Sequence, residues 1–526
     1  MQSSVCQFRL LSSDSEIYIP AWTSSICTLP PSRTLLSTAD DEAGRHHFLV
    51  VAYGVQSHVN PGRALARRLA RLGGVDGSIT ATLSVPLVTY RRMFPSSLDA
   101  ATVATAEETT DDGVISYVPY SDGLDDGSLS WSTDAEDRAR RRRASADSLS
   151  AVVARLAGRG QPVTCIMCTM VLLPVLDVAR EHGIPLAVYW LQPATVLAVS
   201  YHYFHGHDKL VAAHATDPAY EVPVPGLRRP LRIGCLPSFL TDTSGSDRAR
   251  ASIDLFRELF EFMDQWRPKV LVNTFDELEP SALAEMRRHL DVVAVGPMVG
   301  SATDARIHLF EHDKKRYMEW LQAHPDSSVV YVSFGSVTKL PKRQMEEIAG
   351  GLRQCGRPYL LAVRRDGVDG GDGEGGGSHG QLLENDTQSE SQSQGMVVDW
   401  CNQLEVLSHP AIGCFVSHCG WNSVTEAMAS GVPIVGVPNM FDQPTNMYLV
   451  EEELGVGVRG ERNGDGVLTG TELARSIELV MGDGARAVAI RERAKALKET
   501  AQAAMQAGLP RETFGTSSKQ CQNQYN

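Results

Sequence analysis

The chain has 526 residues, 43% of them hydrophobic and 21% charged, and its 49 basic and 63 acidic residues give a net charge of −14. This is the balance of a globular protein with two or three domains, and the negative charge argues against a general binder of nucleic acids or anionic membranes. The cysteines are scattered along the chain, so we expect a reducing compartment, the cytoplasm, and no disulfide scaffold.

The first 45 residues do not resemble a globular domain. They lack the apolar segment of a secretory signal, and they are rich in Ser and Thr, as transit peptides are. Acidic residues such as Asp14 and Glu16 argue against a transit peptide. We therefore predict a disordered or atypical extension over residues 1–45, with an organelle-import signal as the alternative. The most apolar stretch of the whole chain, residues 163–176, is shorter than the roughly 20 residues of a membrane-spanning helix, so no stable membrane insertion is expected.

Alternating strand and helix patterns begin at His47. A strand-length apolar run is followed by a helical pattern, in which Pro61 suits the first helical turn and Gly73 the end of the helix. The same alternation recurs as far as residue 297. It predicts an α/β domain over residues 46–298.

A second alternating series starts after Gly300. It predicts another α/β domain over residues 326–510, joined to the first by a linker over residues 299–325 and followed by an atypical tail over residues 511–526. Both domains fit a doubly wound, Rossmann-like sheet. Ligands of such sheets bind beyond the carboxyl ends of the strands, so the loops after the strands are the places to search for a site.

Two stretches interrupt these patterns. The basic run over residues 137–145 has acidic neighbours and predicts a solvated helix face. Residues 366–395 are polar and of low complexity, which predicts a flexible surface loop. A G-x-G-x-x-G pattern starting at Gly371 lies in this loop, but no helix follows it and its acidic residues would repel a pyrophosphate. We therefore reject it as a dinucleotide site.

Three other motifs have simpler interpretations. Cys165 and Cys168 have no second cysteine pair to complete a zinc site, so we interpret them as core thiols. The adjacent His418 and Cys419 do not predict a catalytic pair, because neighbouring residues rarely face each other. The glycosylation sequon at Asn385 matters only in a secreted protein.

The most informative stretch is Trp400–Gln443. A buried strand ends at His418, Gly420 allows a close backbone approach, and a helix then begins. The free N–H groups and the dipole of that helix form an anion site, to which the side chains of Asn422 and Ser423 add donors.

Other residues of this stretch suit the rest of a nucleotide sugar. Glu426, one helical turn after Asn422, can accept hydrogen bonds from sugar hydroxyls, as the acidic residue of dinucleotide folds does. Trp400 offers a flat face for a base. Asp442 and Gln443 supply acceptors and donors suited to a hexose. The stretch therefore predicts a pocket for a nucleotide diphosphate sugar.

This stretch resembles, nearly position for position, the signature box of the plant family 1 UDP-dependent glycosyltransferases, W-x-x-Q … H-C-G-W-N-S … E … G-V-P … D-Q. The resemblance extends from about His47 to about Met505. It implies the GT-B fold, with two facing Rossmann-like domains and a cleft between them. It also implies that the C-terminal domain holds the sugar nucleotide and the N-terminal domain the acceptor. Neither a cofactor nor a metal is expected, because the helix dipole and side chains neutralise the diphosphate.

The resemblance also implies roles for individual residues. The uracil and ribose are expected to contact Trp400, Cys401, Gln403 and Glu426. The diphosphate is expected to contact Ser336, His418, Asn422 and Ser423. The sugar is expected to contact Trp421, Asp442 and Gln443. The final Gln is commonly associated with glucose donors, whereas Cys401-Asn402 stands where Ala-Pro is usual in the family.

His58, within VQSHVNP, resembles the family's catalytic histidine in QGHxNP, although Ser57 replaces the usual Gly. Imidazole titrates near neutrality, so His58 can act as general base while an acceptor oxygen attacks the anomeric carbon and UDP leaves. The implied reaction is a single displacement with inversion.

Many family members orient this histidine with an Asp, but the alignment places Thr169 there, as a weaker orienting partner; Asp177 lies inside the next helix and is no substitute. The sequence WLQPATV that follows resembles a subgroup with anthocyanin 5-O-glucosyltransferases and enzymes that form glucose esters. Since Thr supplies no charge, we expect a weaker base and therefore an acidic acceptor.

The expected function is transfer of glucose from UDP-glucose to a hydroxyl or carboxylate of a small hydrophobic plant metabolite, such as a flavonoid or anthocyanidin, a phenol or a carboxylic acid hormone. The alternative is a catalytically impaired binder of sugar nucleotides, suggested by Ser57, Thr169 and the atypical ends of the chain. Retention of His58 together with the donor box favours the enzyme. No nucleic acid partner is expected, and the sequence does not predict an oligomeric state.

Overall fold

The computed structural model describes residues 45–74, 78–94, 110–125, 134–170, 172–300, 314–336, 338, 340–364, 368–369 and 394–509. The predictions made for residues 1–44, for the Gly371 pattern, for the sequon at Asn385 and for the tail over residues 511–526 lie outside these residues.

The first domain is built around a parallel sheet. Its strands are β1 (His46–Val51), β2 (Ile79–Pro86), β3 (Thr110–Asp111), β4 (Ser116–Tyr120), β5 (Cys165–Thr169), β6 (Leu186–Trp190), β7 (Glu221–Val222), β8 (Leu231–Arg232), β9 (Lys269–Val272) and β10 (Asp291–Ala294). The eight-stranded sheet has the order β10-β9-β6-β5-β1-β2-β4-β3, and β3 is antiparallel to its neighbour while the other pairs are parallel. β7 and β8 form a separate antiparallel pair.

Helices follow the strands of this sheet. They are α1 (Gln56–Leu72), α2 (Leu87–Met93), α3 (Ala135–Gly158), α4 (Pro174–Glu181), α5 (Ala194–His202), α6 (Asp208–His214), α7 (Asp247–Trp266) and α8 (Pro280–His289). A π-helical turn (Tyr203–His207) separates α5 from α6, and short 3-10 turns lie at Ile233–Cys235 and Ser238–Leu240.

The second domain repeats this plan. Its strands are β11 (Val329–Ser333), β12 (Leu340–Pro341), β13 (Tyr359–Ala362), β14 (Val368–Asp369), β15 (Gly395–Val398), β16 (Ile412–Ser417), β17 (Ile434–Gly436) and β18 (Gly457–Arg459). Its helices are α9 (Lys314–Gln322), α10 (Lys342–Cys355), α11 (Gln403–Leu407), α12 (Trp421–Ser430), α13 (Gln443–Tyr448), α14 (Gly470–Met481) and α15 (Ala485–Ala507), and a π-helical turn (Leu449–Glu453) follows α13. The six-stranded parallel sheet has the order β15-β13-β11-β16-β17-β18.

Each sheet is buried on both faces, which explains why its strands are continuous apolar runs. In β1, Phe48 and Val50 pack into the core on one face, while Leu49 and Val51 pack into the core on the other. In β16, Cys414 and Val416 likewise face one apolar layer and Phe415 the other. The predicted fold class, two facing Rossmann-like domains of the GT-B type, is confirmed.

The order of the strands fixes where a ligand can bind. In the first sheet the order in which successive strands are added reverses between β1 and β5, whose residues Val51 and Cys168 are paired. In the second sheet it reverses between β11 and β16, where Ser333 pairs with Ser417. A crevice opens at such switch points because the connections leave in opposite directions. The residues that follow these four strands therefore form the site.

Two local predictions need correction. Pro61 lies in the second turn of α1, because the helix begins at Gln56 rather than next to the proline. The basic run lies on α3 as predicted, but it is not simply solvated: Arg142 forms ion pairs with Asp177 at 2.8 Å and Glu258 at 2.6 Å. In addition, α9 lies within the range predicted as a linker. Among the described residues, no helix is both long enough and apolar enough to span a bilayer.

Candidate active site

His418 directly follows β16 and lies in a very narrow space. A Cβ atom at Gly335 would be 2.7 Å from its Nε2 atom, and a Cβ atom at Gly420 would be 2.6 Å from it. Both positions therefore require glycine, as the close approach predicted at Gly420 implies. Burial lowers the pKa of His418 to about 4, so its ring is neutral at pH 7. A neutral imidazole can donate one hydrogen bond to a phosphate oxygen.

The helix α12 begins immediately after this histidine, with Gly420 as its N-cap. Its first N–H groups have no acceptor within the helix and carry the positive end of its dipole, which suits an anion. The indole of Trp421 does not face open space: its side chain is buried, and Nε1 donates to the carbonyl oxygen of Asn273 at 2.7 Å. Trp421 thereby connects the first turn of α12 to the end of β9 in the other domain.

Asn422 makes a second connection between the domains. Its Nδ2 atom donates to the carbonyl oxygen of Ser57 at 2.9 Å. In an α-helix that carbonyl would accept from the N–H group of the residue four positions later, which is Pro61. Proline has no N–H group, and its ring displaces this carbonyl. The oxygen of Ser57 is thus left for Asn422, next to His58.

Gln403 and Glu426, two of the residues predicted to hold uracil and ribose, contact each other. Gln403 donates through Nε2 to Ser423 at 2.8 Å and to Glu426 at 2.6 Å, and it accepts from the hydroxyl of Tyr331 at 3.3 Å. The Sγ atom of Cys401 is buried and lies 3.3 Å from the same hydroxyl. Burial raises the pKa of Glu426 to about 7.

Trp400 and Ser336 lie at the carboxyl edge of the same sheet. Trp400 follows β15 and is half-buried, and Ser336 lies in the loop after β11. The carbonyl oxygen of Ser336 accepts a hydrogen bond from Arg364, which follows β13. Both residues lie at the sheet edge where the other residues predicted to bind the donor converge.

Asp442 and Gln443 lie where α13 begins, in a loop held by the first domain. Ser238 and Phe441 exchange two hydrogen bonds of 2.8 Å, and Thr445 donates to the carbonyl oxygen of Cys235 at 2.7 Å. The carboxylate of Asp442 accepts from Asn446 at 2.8 Å, and burial raises its pKa to about 6.

The amide oxygen of Gln443 is occupied within this loop. It accepts from the backbone N–H groups of Asn439 at 2.9 Å and Met440 at 3.0 Å. Because both bonds end on the oxygen, the NH₂ group of Gln443 is the part of this side chain that a sugar hydroxyl would meet.

His58 lies in the first turn of α1, with its ring half-buried beside the cleft. Its Nδ1 atom is 3.0 Å from the hydroxyl oxygen of Thr169 at the end of β5, and Thr169 is completely buried. The same hydroxyl oxygen accepts from the backbone N–H of Tyr53 at 3.1 Å. Burial lowers the pKa of His58 to about 4. The structure thus brings together the histidine and the threonine that the alignment paired.

Three further cysteines of the described residues, Cys165, Cys168 and Cys419, lie in the core. Cys165 and Cys168 are buried in β5, as their interpretation as core thiols requires, and burial raises the pKa of Cys168 to about 12. Cys419 is also buried, and its Sγ atom lies 3.6 Å from the sulfur of Met447. This thiol packs into the core and does not form a nucleophile with His418.

Several residues that shape the site were not predicted from the sequence. Asn273 and Tyr331 were not singled out, and neither was the Cys235–Ser238 segment. A polar Asn directly after the apolar run of β9 is a signal that a search of strand ends would have found. The sequence gives no comparable signal for Tyr331, because it resembles any buried aromatic residue of a core strand.

Comparison with known proteins shows which family has this sequence. Residues 298–487 match the family model described as UDP-glucoronosyl and UDP-glucosyl transferase. The chain is 39% identical over 473 residues to a crocetin glucosyltransferase, chloroplastic, from Gardenia jasminoides, covering 88% of this chain and 94% of that protein. The chain belongs to the family of UDP-glycosyltransferases.

Other proteins similar to this UDP-glycosyltransferase support the same family. An anthocyanidin 3-O-glucoside 5-O-glucosyltransferase from Perilla frutescens is 37% identical, covering 88% of this chain and 95% of that protein. The crystal structure of Os79 from O. sativa in complex with UDP superposes with a TM-score of 0.68 at 29% identity, covering 86% of this chain and 95% of that one. Apo UGT2 of Phytolacca americana, at 22% identity and a TM-score of 0.66 over 87% and 95% of the chains, shares the fold.

Proposed function

We propose that this UDP-glycosyltransferase transfers glucose from UDP-glucose, with inversion, to a carboxylate or an acidic phenol of a small hydrophobic acceptor. The observation that carries the proposal is the contact of 3.0 Å between Nδ1 of His58 and the uncharged Thr169. The same ring lies beside Ser57, to which the N-terminal turn of α12 is bound. A base and an anion site are therefore adjacent.

The reaction is a single displacement. The acceptor oxygen forms a bond to the anomeric carbon, while the bond from that carbon to the diphosphate oxygen breaks and UDP leaves with the electron pair. Nε2 of His58 takes the proton of a hydroxyl acceptor, and an ionised carboxylate has no proton to transfer. One displacement from the face opposite the diphosphate inverts the anomeric centre.

The environment of His58 favours acidic acceptors. With a pKa of about 4, its imidazole is neutral at pH 7 and available as a base, but it holds a proton only weakly. Thr169 can fix the orientation of the ring, yet it adds no negative charge that would stabilise the imidazolium. Such a base helps an oxygen that is already ionised or nearly so more than it helps an aliphatic alcohol.

We infer that the second domain, over residues 326–510, holds the donor and that the first, over residues 46–298, holds the acceptor. The N–H groups of α12, with His418 and the side chains of Asn422 and Ser423, would stabilise the negative charge that develops on the diphosphate. Transfer would then need no metal and no cofactor. Glucose is favoured as the sugar by Gln443, whose NH₂ group remains to contact it.

The names of the relatives support this class of acceptor. One is named for glucosyl transfer to crocetin and another for transfer to the 5-O position of anthocyanidin 3-O-glucosides. The contact between His58 and Thr169, and the bond from Asn422 to the carbonyl oxygen of Ser57, support the enzyme over the impaired binder.

The test is an acceptor panel of carboxylic acids, phenols and aliphatic alcohols with UDP-glucose, followed by product analysis. We expect turnover of acids and phenols, β-linked products by NMR, and a large loss of turnover in His58→Ala. Strong turnover of aliphatic alcohols alone would contradict the acceptor preference. Acceptor-independent UDP release, unchanged in His58→Ala, would support the impaired binder.

The cytoplasm remains our proposal for the location of the enzyme. It is supported by the unpaired, buried cysteines among the described residues, such as Cys165 and Cys414. One relative is named as chloroplastic. A full-length fusion to a fluorescent protein at the C-terminus, expressed in leaf cells, tests the proposal, and fluorescence confined to plastids would contradict it.

A further inference from the structure

Three side chains with metal-ligating atoms meet where α5 and α8 end. His202 is the last residue of α5, His289 is the last residue of α8, and Glu285 lies one turn before His289. The Oε1 atom of Glu285 is 2.9 Å from Nε2 of His289 and 3.6 Å from Nε2 of His202. All three ligating atoms lie within 4.8 Å of one another. His202 lies far along the chain from Glu285 and His289, so the spacing of the three residues gave no metal signature.

These separations are close to those of a metal site. Zn²⁺ binds imidazole nitrogen at about 2.0–2.1 Å, so two ligands of a tetrahedral ion lie about 3.4 Å apart. The two measured distances to Glu285 lie on either side of this value. The two imidazole nitrogens lie within 4.8 Å of each other, so binding would require side-chain rotations that bring them closer.

The state of His202 points to a ligand. Its side chain is only 12% exposed, and among the described residues its Nε2 atom has no hydrogen-bond partner. Buried polar atoms rarely lack a partner. A metal ion at this position would supply the missing partner of this nitrogen.

The electrostatic surroundings favour a cation. The ends of two helices meet here, and each carries the negative end of its dipole. Arg288 contacts Glu285 through the other carboxylate oxygen, Oε2, at 3.1 Å, and this leaves Oε1 between the two imidazoles. Of the neighbouring groups, His205 is engaged by Asp264 at 2.8 Å, and the ring of His207 lies 5.7 Å from that of His202.

We propose that His202, Glu285 and His289 bind a transition-metal ion such as Zn²⁺, which joins the ends of α5 and α8. Two imidazoles and one carboxylate suit Zn²⁺, Co²⁺, Ni²⁺ and Cu²⁺, and they do not suit Mg²⁺ or Ca²⁺, which prefer oxygen ligands. Water would complete the coordination of the ion.

The position of this site indicates a structural role. α5 and α8 begin at the carboxyl edge of the sheet, after β6 and β9, and run back towards the opposite edge. Their ends therefore point away from the donor site. At the other end of the pair, Glu279 accepts from the backbone N–H groups of Ala194 at 2.9 Å and Thr195 at 2.8 Å. The carboxylate fixes α5 to α8 at one end, and the metal would fix them at the other.

The test uses the full chain without an affinity tag, after chelator treatment and removal of the chelator. Co²⁺ is titrated while its visible absorption is recorded, and Zn²⁺ binding is measured by calorimetry and by the shift in Tm. We expect a tetrahedral Co²⁺ spectrum and a rise in Tm with Zn²⁺. Since loss of outer-shell partners weakens metal binding about 10–100-fold, His202→Ala, Glu285→Gln and His289→Ala should each weaken it at least about tenfold.

His214→Ala is the matched control, because this histidine lies in the same domain but its ring stacks on Tyr220, with the centroids 3.5 Å apart. It should bind Zn²⁺ as the unmodified chain does. Equal binding by all four variants, or an octahedral Co²⁺ spectrum, would mean that the ion binds to scattered surface histidines. Either result would overturn the proposal. Absence of binding to the unmodified chain would also overturn it. Circular dichroism of each variant without metal shows that the fold is retained.

Discussion

The hydroxyl oxygen of Thr169 lies between two groups, the Nδ1 atom of His58 at 3.0 Å and the backbone N–H of Tyr53 at 3.1 Å. A hydroxyl oxygen has two lone pairs, so it can accept from both groups at once. When Nδ1 carries the proton and donates to Thr169, the lone pair of Nε2 is free to act as a base. An uncharged residue can therefore fix the catalytic tautomer of His58, although it cannot raise the pKa of the ring as a carboxylate would.

Replacing Thr169 by Val removes the acceptor and keeps the shape. The N–H of Tyr53 and Nδ1 of His58 then lose a partner in a buried place, which should lower the free energy of unfolding by about 1–3 kcal/mol and kcat by about 3- to 10-fold. Urea denaturation and initial rates measure the two effects. Thr169→Ser keeps the hydroxyl and should retain most of the activity; an equal loss in both variants would contradict the role of the hydroxyl.

Replacing Thr169 by Asp should broaden the acceptor range. A carboxylate at hydrogen-bond distance stabilises the imidazolium and raises the pKa of His58 from about 4. We expect kcat/KM for an aliphatic alcohol to rise several-fold, with a smaller change for a carboxylic acid. Thr169→Asn is the control, because it has nearly the same shape and no charge. A similar response to Asn would show that charge is not the cause.

Pro61 and Asn422 should act on the same carbonyl group. In the unmodified protein the carbonyl oxygen of Ser57 accepts from Asn422 at 2.9 Å. Pro61→Ala supplies a backbone N–H group that competes for this oxygen. We expect each of Pro61→Ala and Asn422→Ala to lower kcat/KM, and Pro61→Ala to have little further effect once Asn422 is absent. A double-mutant cycle measures this coupling, expected at about 0.5–1.5 kcal/mol. Additive effects would mean that the proline acts elsewhere.

Donor affinity should depend on pH through Glu426. Its pKa of about 7 means that the carboxylate is ionised above pH 7 and protonated below it. We propose that Glu426 accepts hydrogen bonds from the ribose hydroxyls. Since the ionised form is the better acceptor, the Kd for UDP-glucose should be constant above pH 7 and should rise as the pH falls below it. UDP-glucose is the suitable probe, since it has no terminal phosphate with a pKa near 6. In Glu426→Gln this rise should disappear.

Glu279 should be important for stability rather than for the reaction. It is buried and accepts from Ala194, Thr195 and, through Oε2, the hydroxyl of Thr274 at 2.5 Å. Glu279→Gln replaces one accepting oxygen with an NH₂ group, which should lower the free energy of unfolding by about 1–3 kcal/mol. Glu277→Gln is the matched control, because Glu277 is exposed. Denaturant unfolding should separate the two variants; equal stability would contradict the role of Glu279.

The sequence predicted the two sheets and several of their strands, whereas the donor-binding roles of the residues from Trp400 to Gln443 stay predictions. Continuous apolar runs such as β1 and β16 are characteristic of strands buried on both faces, and the ordered polar residues from Trp400 to Gln443 have few other uses. The N-terminus of α1 was misjudged, because a proline was placed in its usual position in the first turn. The proposed metal site was not predicted, because His202 and Glu285 have no motif spacing.

What the sequence determined by itself was which residues follow which strands, and hence that His58 and His418 lie at the switch points of two sheets. Only the tertiary structure decided how the two halves meet. The indole of Trp421 donates a hydrogen bond to Asn273, and Asn422 donates one to Ser57. The partners are far apart in the sequence, so no periodic pattern predicts these contacts. Local patterns report the period of a helix or strand and its burial. Contacts between domains depend on the positions of whole sheets, which the chain fixes only after both have folded.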